Sequence, residues 1–535
     1  MIMQRPSTTS VNSDSIRSLE MQLGLQVEEK KLDDVERIDS PLNKNNSNDN
    51  NTFHLWKEML LLLEIAAPAV VVQFSVLFIF PQTASAVGKS LGTQALAGFS
   101  LGSLVGNLTI VSVMTGALTA ADILLPRAWG AKNYQEMGIL VIRSLFICTI
   151  ILVIPVIPLF TSMEWIFDKM GQDKDASHLA AEWIRIFLIG VPSTLLFRVA
   201  QSFLNSQNQV YPMVFASIVA SYVFHPVFLN TLIPAFGENG SALAISMTQW
   251  VMVGLLFLYV KIRPVDEPQT YPKFDATSIS KALTPQPLLD FVSLSLGGVI
   301  SLSEWWLWET VCFIVGTFGV VPLVVHSIAY NLVPLLFMPT LGIQIGLTVR
   351  MGHIIAYDTA KAKLLATWCM IFTVAFGAIL STVLYIFRVE IAMIFTDDME
   401  VVEGCKAIWG KLSVYIFVLH IFGINSAILR VLGLQWRMAM IIFGFLWFVV
   451  LPAILYFAVH KGGGLDTVWT ILPIFYTIMQ VLLALSYLLE DWEAIGREIH
   501  RRAHGEGSPK ISTSAGEVEP LLSSSSSSSS DEEEQ

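Results

Sequence analysis

Glu304 and Glu309 stand in the run SEWWLWET (Ser303–Thr310), five residues apart among three tryptophans, within a stretch otherwise suited to hydrocarbon. A charged side chain at mid-membrane costs roughly 2.5–3.5 kcal/mol on insertion scales, so an acid there must face water, find a partner or stay protonated. Burial disfavours the ionised carboxylate and a nearby cation favours it. A carboxyl poised between those conditions exchanges a proton for a cation, which is the chemistry of an antiporter. At helical spacing the two acids lie about 140° apart, so they do not share a face. Each has an indole one turn away: Trp308 follows Glu304 by four residues, and Trp305 precedes Glu309 by four. Such rings lower the local polarity and offer a cation–π surface. The plainer reading is that one glutamate bonds a neighbouring helix and holds the bundle together.

Other polar and aromatic residues in apolar runs are weaker candidates. Trp305, Trp308 and Tyr330 could stack on flat cations, while Asn331, Gln73, Gln82 and Asn107 could hydrogen-bond a substrate. His326, together with His225 and His420, could line a cavity or relay protons. A lone histidine or aromatic in a helical bundle is more often a packing residue. Glu64 reads as interfacial, and Asp122, near Arg127, as a structural residue positioning its loop.

These residues need a scaffold, and the composition names one. The chain has 535 residues, 54% hydrophobic and 14% charged, with mean hydropathy +0.61. Soluble domains carry about 25% charged residues, so this is an integral membrane protein. The formal charge of −11 comes largely from the tails and loops. No basic stripe or zinc spacing points to nucleic acid. The four cysteines are scattered and suggest neither a disulfide framework nor a metal cluster.

Twelve runs are long enough to span a bilayer. They lie near 58–80, 94–119, 138–160, 180–203, 210–233, 240–262, 287–317, 321–348, 363–387, 408–431, 437–459 and 466–488. The polar, proline-containing segment 263–285 divides them six and six. Lys and Arg concentrate in alternate connections, which places both termini in the cytosol. An internal repeat appears at a shift of about 225–227 residues. Leu96 meets Leu323, Ser100 meets Ser327, GALTAADILLPRAWGA (116–131) lines up with GIQIGLTVRMGHIIAY (342–357), and FLNSQNQ (203–209) with ILRVLGL (428–434). Six spans per half make the repeat parallel, and transporters built this way hold substrate between rocking halves.

SEWWLWET resembles the acid–Trp–Trp–x–aromatic–acid signature of the multidrug and toxic compound extrusion (MATE) family, in its eukaryotic branch. AADILLPRAWGAKNYQEMG is similar to the family's connection between helices 2 and 3, HSIAYNLVPLLFMPTLGIQIGLTVRMG to its helix 8 and exit, and LRVLGLQWRM to the exit of helix 10. The resemblance covers roughly 58–488 and neither tail. It implies a twelve-helix antiporter with an N-lobe and a C-lobe, exporting organic solutes, usually cations, in exchange for H⁺ or Na⁺. The chain departs from the pattern at Asn331 and Gly423, where relatives often carry acids in helices 8 and 10. It lacks the helix 1 acid of prokaryotic members and has Pro126-Arg127 in place of Gly-Gln. Glu304 and Glu309 are then left to carry the coupling, and H⁺ is favoured over Na⁺ because Na⁺ prefers several converging oxygens.

The expected architecture is all-α, with twelve transmembrane helices in two six-helix lobes related by a parallel pseudo-twofold repeat. The expected organisation is a disordered cytosolic tail at 1–54, an N-lobe at 55–262 and a cytosolic linker at 263–285. A C-lobe at 286–489 and a Ser-rich acidic tail at 490–535 complete it. The expected function is export of organic compounds against H⁺, with Glu304 and Glu309 as the coupling acids. The alternatives are an exporter of organic anions or secondary metabolites into a vacuole, or a lipid-linked flippase of the same broader fold. No enzymatic constellation, Walker A loop, cofactor or metal is expected. The expected partners are a small organic substrate, H⁺ and the lipid bilayer, with the chain a monomer in the plasma or a vacuolar/lysosomal membrane. Glu517–Leu522 reads as an acidic dileucine sorting signal.

Overall fold

The computed structural model describes residues 49–169, 174–264, 267–395 and 398–503. The dileucine run, the serine run and most of the N-terminal tail lie outside the described residues. The chain divides into two compact units, Met1–Lys57 and Glu58–Gln535. The first contributes only the helical residues 49–57 to the described chain, and the second holds the bundle. Helix already begins at Asp49, inside the segment read from sequence as a tail.

Every regular element among the described residues is helical. Twelve are long and apolar enough to cross a membrane, and each overlaps a run expected from the sequence. In the first half they are α1 Trp56–Leu91, α2 Gln94–Gly130, α3 Tyr134–Ile151, α4 Ser177–Ser206, α5 Tyr211–Phe236 and α6 Glu238–Ile262. The second half supplies α7 Pro285–Gly316, α8 Val321–Ile354, α9 Thr359–Ile386, α10 Met399–Val431, α11 Gln435–His460 and α12 Gly464–Leu488. Lipid leaves a backbone no hydrogen-bond partner but itself, so each apolar run closes into a helix. A further amphipathic helix, α13, spans Trp492–Ala503. The linker is partly helical, at Pro268–Thr270 and Ala276–Ala282, and it packs on the first half. Arg143 Nε of α3 donates to the Ala282 carbonyl at 2.9 Å.

The repeat seen in sequence is repeated in local geometry. A widened turn interrupts α5 at Ala220–Phe224 and α11 at Leu446–Val450, and each is followed two residues later by a proline, Pro226 or Pro452. Proline lacks an N–H and clashes with the preceding turn, which opens the helix there. The left-handed residue after α4 is Asn208 and its counterpart after α10 is Gly433. Buried side chains accordingly form two apolar cores, one in each half. The first is built on Trp183, Phe160 and Ile79, and the second on Trp409, Trp469 and Tyr476.

Apolar burial gains little where the solvent is itself apolar, so helix pairing rests on close packing and interhelical hydrogen bonds of about 0.6 kcal/mol. The α2–α7 crossing shows both devices. A Cβ on Gly116 would stand 2.7 Å from the Val299 nitrogen, so only glycine fits this approach. Beside it the Ser295 hydroxyl donates to the Ala117 carbonyl at 2.9 Å. The 287–317 run, read as one span, is broken at Leu302: helices Pro285–Ser301 and Ser303–Gly316 meet there. The Ser301 hydroxyl bonds the Gly298 carbonyl at 2.7 Å, a local competitor for the helical ladder.

Candidate functional site

The break in α7 puts Glu304 in the first turn of the second half-helix. Its side chain is buried, 6% exposed, and the Tyr476 hydroxyl of α12 faces its carboxyl. An aromatic cluster closes round it. Trp308 lies 5.2 Å from Tyr415, 6.0 Å from Trp469, 6.1 Å from His326 and 6.2 Å from Tyr330 between ring centroids. Tyr415 meets Tyr476 edge-on at 4.9 Å, a geometry that ring quadrupoles favour. Four helices, α7, α8, α10 and α12, therefore converge on one carboxyl.

The polar atoms of this cluster are poorly matched to one another. Ser303 Oγ, both nitrogens of His326 and Trp469 Nε1 are buried without a hydrogen bond to protein, while the Tyr476 hydroxyl is turned to Glu304 and to Tyr415. Buried polar groups are nearly always bonded, so these atoms are open to a further partner.

Glu309 occupies different ground. It is half-buried, and Tyr330 of α8 donates to its Oε1 at 2.5 Å. The structure thus brings Glu304, Trp308 and His326 together, and separately pairs Glu309 with Tyr330. Asn331 is exposed and bonds back to the Ser327 carbonyl at 2.8 Å. Trp305 is 44% exposed and turned away from the buried cluster. The other candidates belong to the first half. Gln82 Nε2 donates to the Ser221 carbonyl at 3.3 Å, Asn107 opens the widened turn of α2, and Gln73 is half-buried on α1. Tyr415, Trp469 and Tyr476 were not singled out from sequence. Their signal was the seven-residue spacing of Trp469 and Tyr476, which places both on one helical face.

Polar contacts between the two halves gather at one end of the bundle. The Glu58 carboxylate of α1 binds Arg350 of α8 at 2.6 Å and Lys361 of α9 at 3.0 Å. Arg127 bonds the Val431 carbonyl, His353 Nε2 lies 2.7 Å from the Ser206 carbonyl, and Gln435 donates to Thr119 at 3.1 Å. Asp122 accepts from Ser202 at 2.5 Å, with Arg198 of α4 and Arg430 of α10 beside it. Near mid-bundle, Trp306 of α7 reaches Ser112 of α2 at 3.4 Å. All four cysteines are free, and no metal-ligating cluster occurs among the described residues.

Twelve helices in two repeat-related halves, with carboxyls buried inside the bundle, define a membrane transporter architecture. The MatE family model matches residues 68–230 and 298–455, more than half of the chain, and the chain belongs to that family. It is 27% identical over 478 residues to human multidrug and toxin extrusion protein 1, covering 87% of this chain and 81% of that protein. It is 26% identical over 457 residues to multidrug and toxin extrusion protein 2 of Oryctolagus cuniculus, covering 84% and 74%. Its fold matches the crystal structure of the eukaryotic MATE transporter AtDTX14 with TM-score 0.77 at 20% identity, over 84% of this chain and 99% of that one.

Proposed function

We propose that this efflux transporter exports organic cations in exchange for H⁺, with Glu304 as the group for which the two compete. The observation that carries the reading is the buried Glu304 carboxyl set among unmatched hydroxyl, imidazole and indole groups. In the proposed cycle Glu304 takes a proton as the cation departs. The halves then rock, the proton leaves on the other side, and the bared carboxylate draws the next cation. Glu309, held by Tyr330, tunes this exchange through its negative charge and does not itself release substrate. The end carrying Arg127, Arg350 and Lys361 would face the cytosol, as the distribution of basic residues favours, and would be closed by the Glu58 ion pairs.

A second reading, export of organic anions, has one cation to rest on: Arg198 lines a small cavity of about 40 Å³ in the first half with Gln249 and Thr194 among apolar side chains, and Asp122 stands beside it as a counter-charge. The deciding experiment is uptake into proteoliposomes under an imposed pH gradient, comparing a fluorescent organic cation with an organic anion, and wild type with Glu304→Gln. Gradient-driven cation uptake that survives in the variant would overturn the coupling role of Glu304.

A further inference from the structure

His225 is fully buried at the start of the α5 segment that follows the widened turn. Its ring is held from both sides. Nε2 lies 3.0 Å from the Thr83 hydroxyl of α1, and Nδ1 lies 2.8 Å from the Thr248 hydroxyl of α6. Each hydroxyl is also placed to donate to its own helix: Thr83 to the Ile79 carbonyl at 2.9 Å, and Thr248 to the Ala244 carbonyl at 2.7 Å.

A threonine hydroxyl has one hydrogen and two lone pairs. With both hydrogens spent on carbonyls, each hydroxyl turns a lone pair to the ring. Both ring nitrogens must then be N–H donors, and the imidazole carries a positive charge. A neutral ring is served equally well when one threonine rotates its hydrogen from the carbonyl to the bare nitrogen. The site therefore holds either protonation state with every polar atom bonded, at the cost of a single hydroxyl rotation.

We propose that His225 is a proton-binding site of the first half, distinct from the acids of the second, and that its occupancy sets how firmly α1 and α6 are tied to α5. One further observation supports a role beyond packing: the repeat-equivalent position is Leu451, so the fold accepts an apolar residue there. Among the described residues no acid or base of α1, α5 or α6 stands beside the ring; the Ile79 and Ala244 carbonyls do.

The test is nitrogen-15 NMR of the full chain labelled at histidine and reconstituted in lipid. His225 is assigned by subtracting the spectrum of His225→Gln, or from the signal perturbed in Thr83→Val should that variant fail to fold. The expected result is a ring protonated at both nitrogens in acid and at one nitrogen in base, with the conversion falling inside the pH range over which the reconstituted protein stays folded. Thr83→Val and Thr248→Val each remove one acceptor for the charged form and shift the conversion to lower pH by roughly one to two units. Glu304→Gln, which tests the coupling role separately, leaves the conversion in place. A ring neutral throughout, or threonine variants without a shift, overturns the proposal. So does a conversion that vanishes with Glu304.

Discussion

Tyr330 donates its hydroxyl hydrogen to Glu309 at 2.5 Å across the α7–α8 contact, whereas Glu304, five residues earlier, is buried with the Tyr476 hydroxyl of α12 before its carboxyl. Two acids of one half-helix thus meet tyrosines of different helices, and Glu309 is the more exposed of the two. Tyr330→Phe should weaken the hold on Glu309 by roughly 1.5–3 kcal/mol, the range for a hydrogen bond to a charged group. Transport in proteoliposomes should fall but persist, while Glu304→Gln should abolish its dependence on the pH gradient. Equal losses in the two variants would contradict the division of labour.

Trp308 is packed against four rings, one of which, Tyr415, also stands beside Glu304. Trp308→Ala should lower the thermal midpoint of the purified protein markedly, since truncating a buried tryptophan costs about 3–5 kcal/mol. Trp308→Phe should recover much of that stability while leaving cation affinity reduced, because the smaller ring offers a weaker cation–π face. Substrate binding by the folded Phe variant, measured beside its melting curve, separates packing from recognition.

Glu58 binds two cations, Arg350 and Lys361, at the end of the bundle where the halves touch. Removing one member of a largely buried ion pair strands the other, at a cost of up to about 3–5 kcal/mol. Glu58→Gln should therefore shift the population toward a state open at this end. With the four native cysteines replaced, a buried Thr348→Cys should react faster with a water-soluble thiol reagent in the Glu58→Gln background. An unchanged rate would mean that the ion pairs do not latch the halves.

Asp275 caps the linker helix Ala276–Ala282, accepting from the Ser278 N–H at 2.8 Å, and the hydrogen bonds from Ser278 hold its carboxyl below the usual range. Because its folded value is depressed, the cap is fully present above the ordinary carboxylate range, about 3.9. It is lost as pH falls through the lower, folded value. The protection factors of the amides of residues 276–282, each rate taken relative to intrinsic exchange at the same pH, should drop in acid, and Asp275→Asn, still a good cap, should remove that drop. Protection factors that stay level in the wild type would show that the cap does not hold the helix.

Much of this architecture could be read along the chain. Hydropathy marked all twelve spans, and the shift of about 226 residues tied the two halves together before any coordinates. SEWWLWET exposed both acids because carboxylates are conspicuous in lipid. What escaped was whatever depends on which faces meet. Tyr415, Trp469 and Tyr476 look like ordinary lipid-span aromatics until α10 and α12 turn them toward Glu304. The Leu302 break hid inside an unbroken apolar run. Near the start of α1 Glu64 stands out in the sequence, yet the ion pair falls on Glu58, whose partners lie 292 residues away and beyond.

The interruption at Leu302 also separates two mechanical duties. The part of α7 before it is clamped to α2 at Gly116, where no side chain leaves slack. The part after it carries Glu304 and Trp308, and touches α2 through the long Trp306–Ser112 contact. The break between them means that the segment carrying Glu304 and Trp308 is not fixed to α2 by the close contact that holds the segment before it.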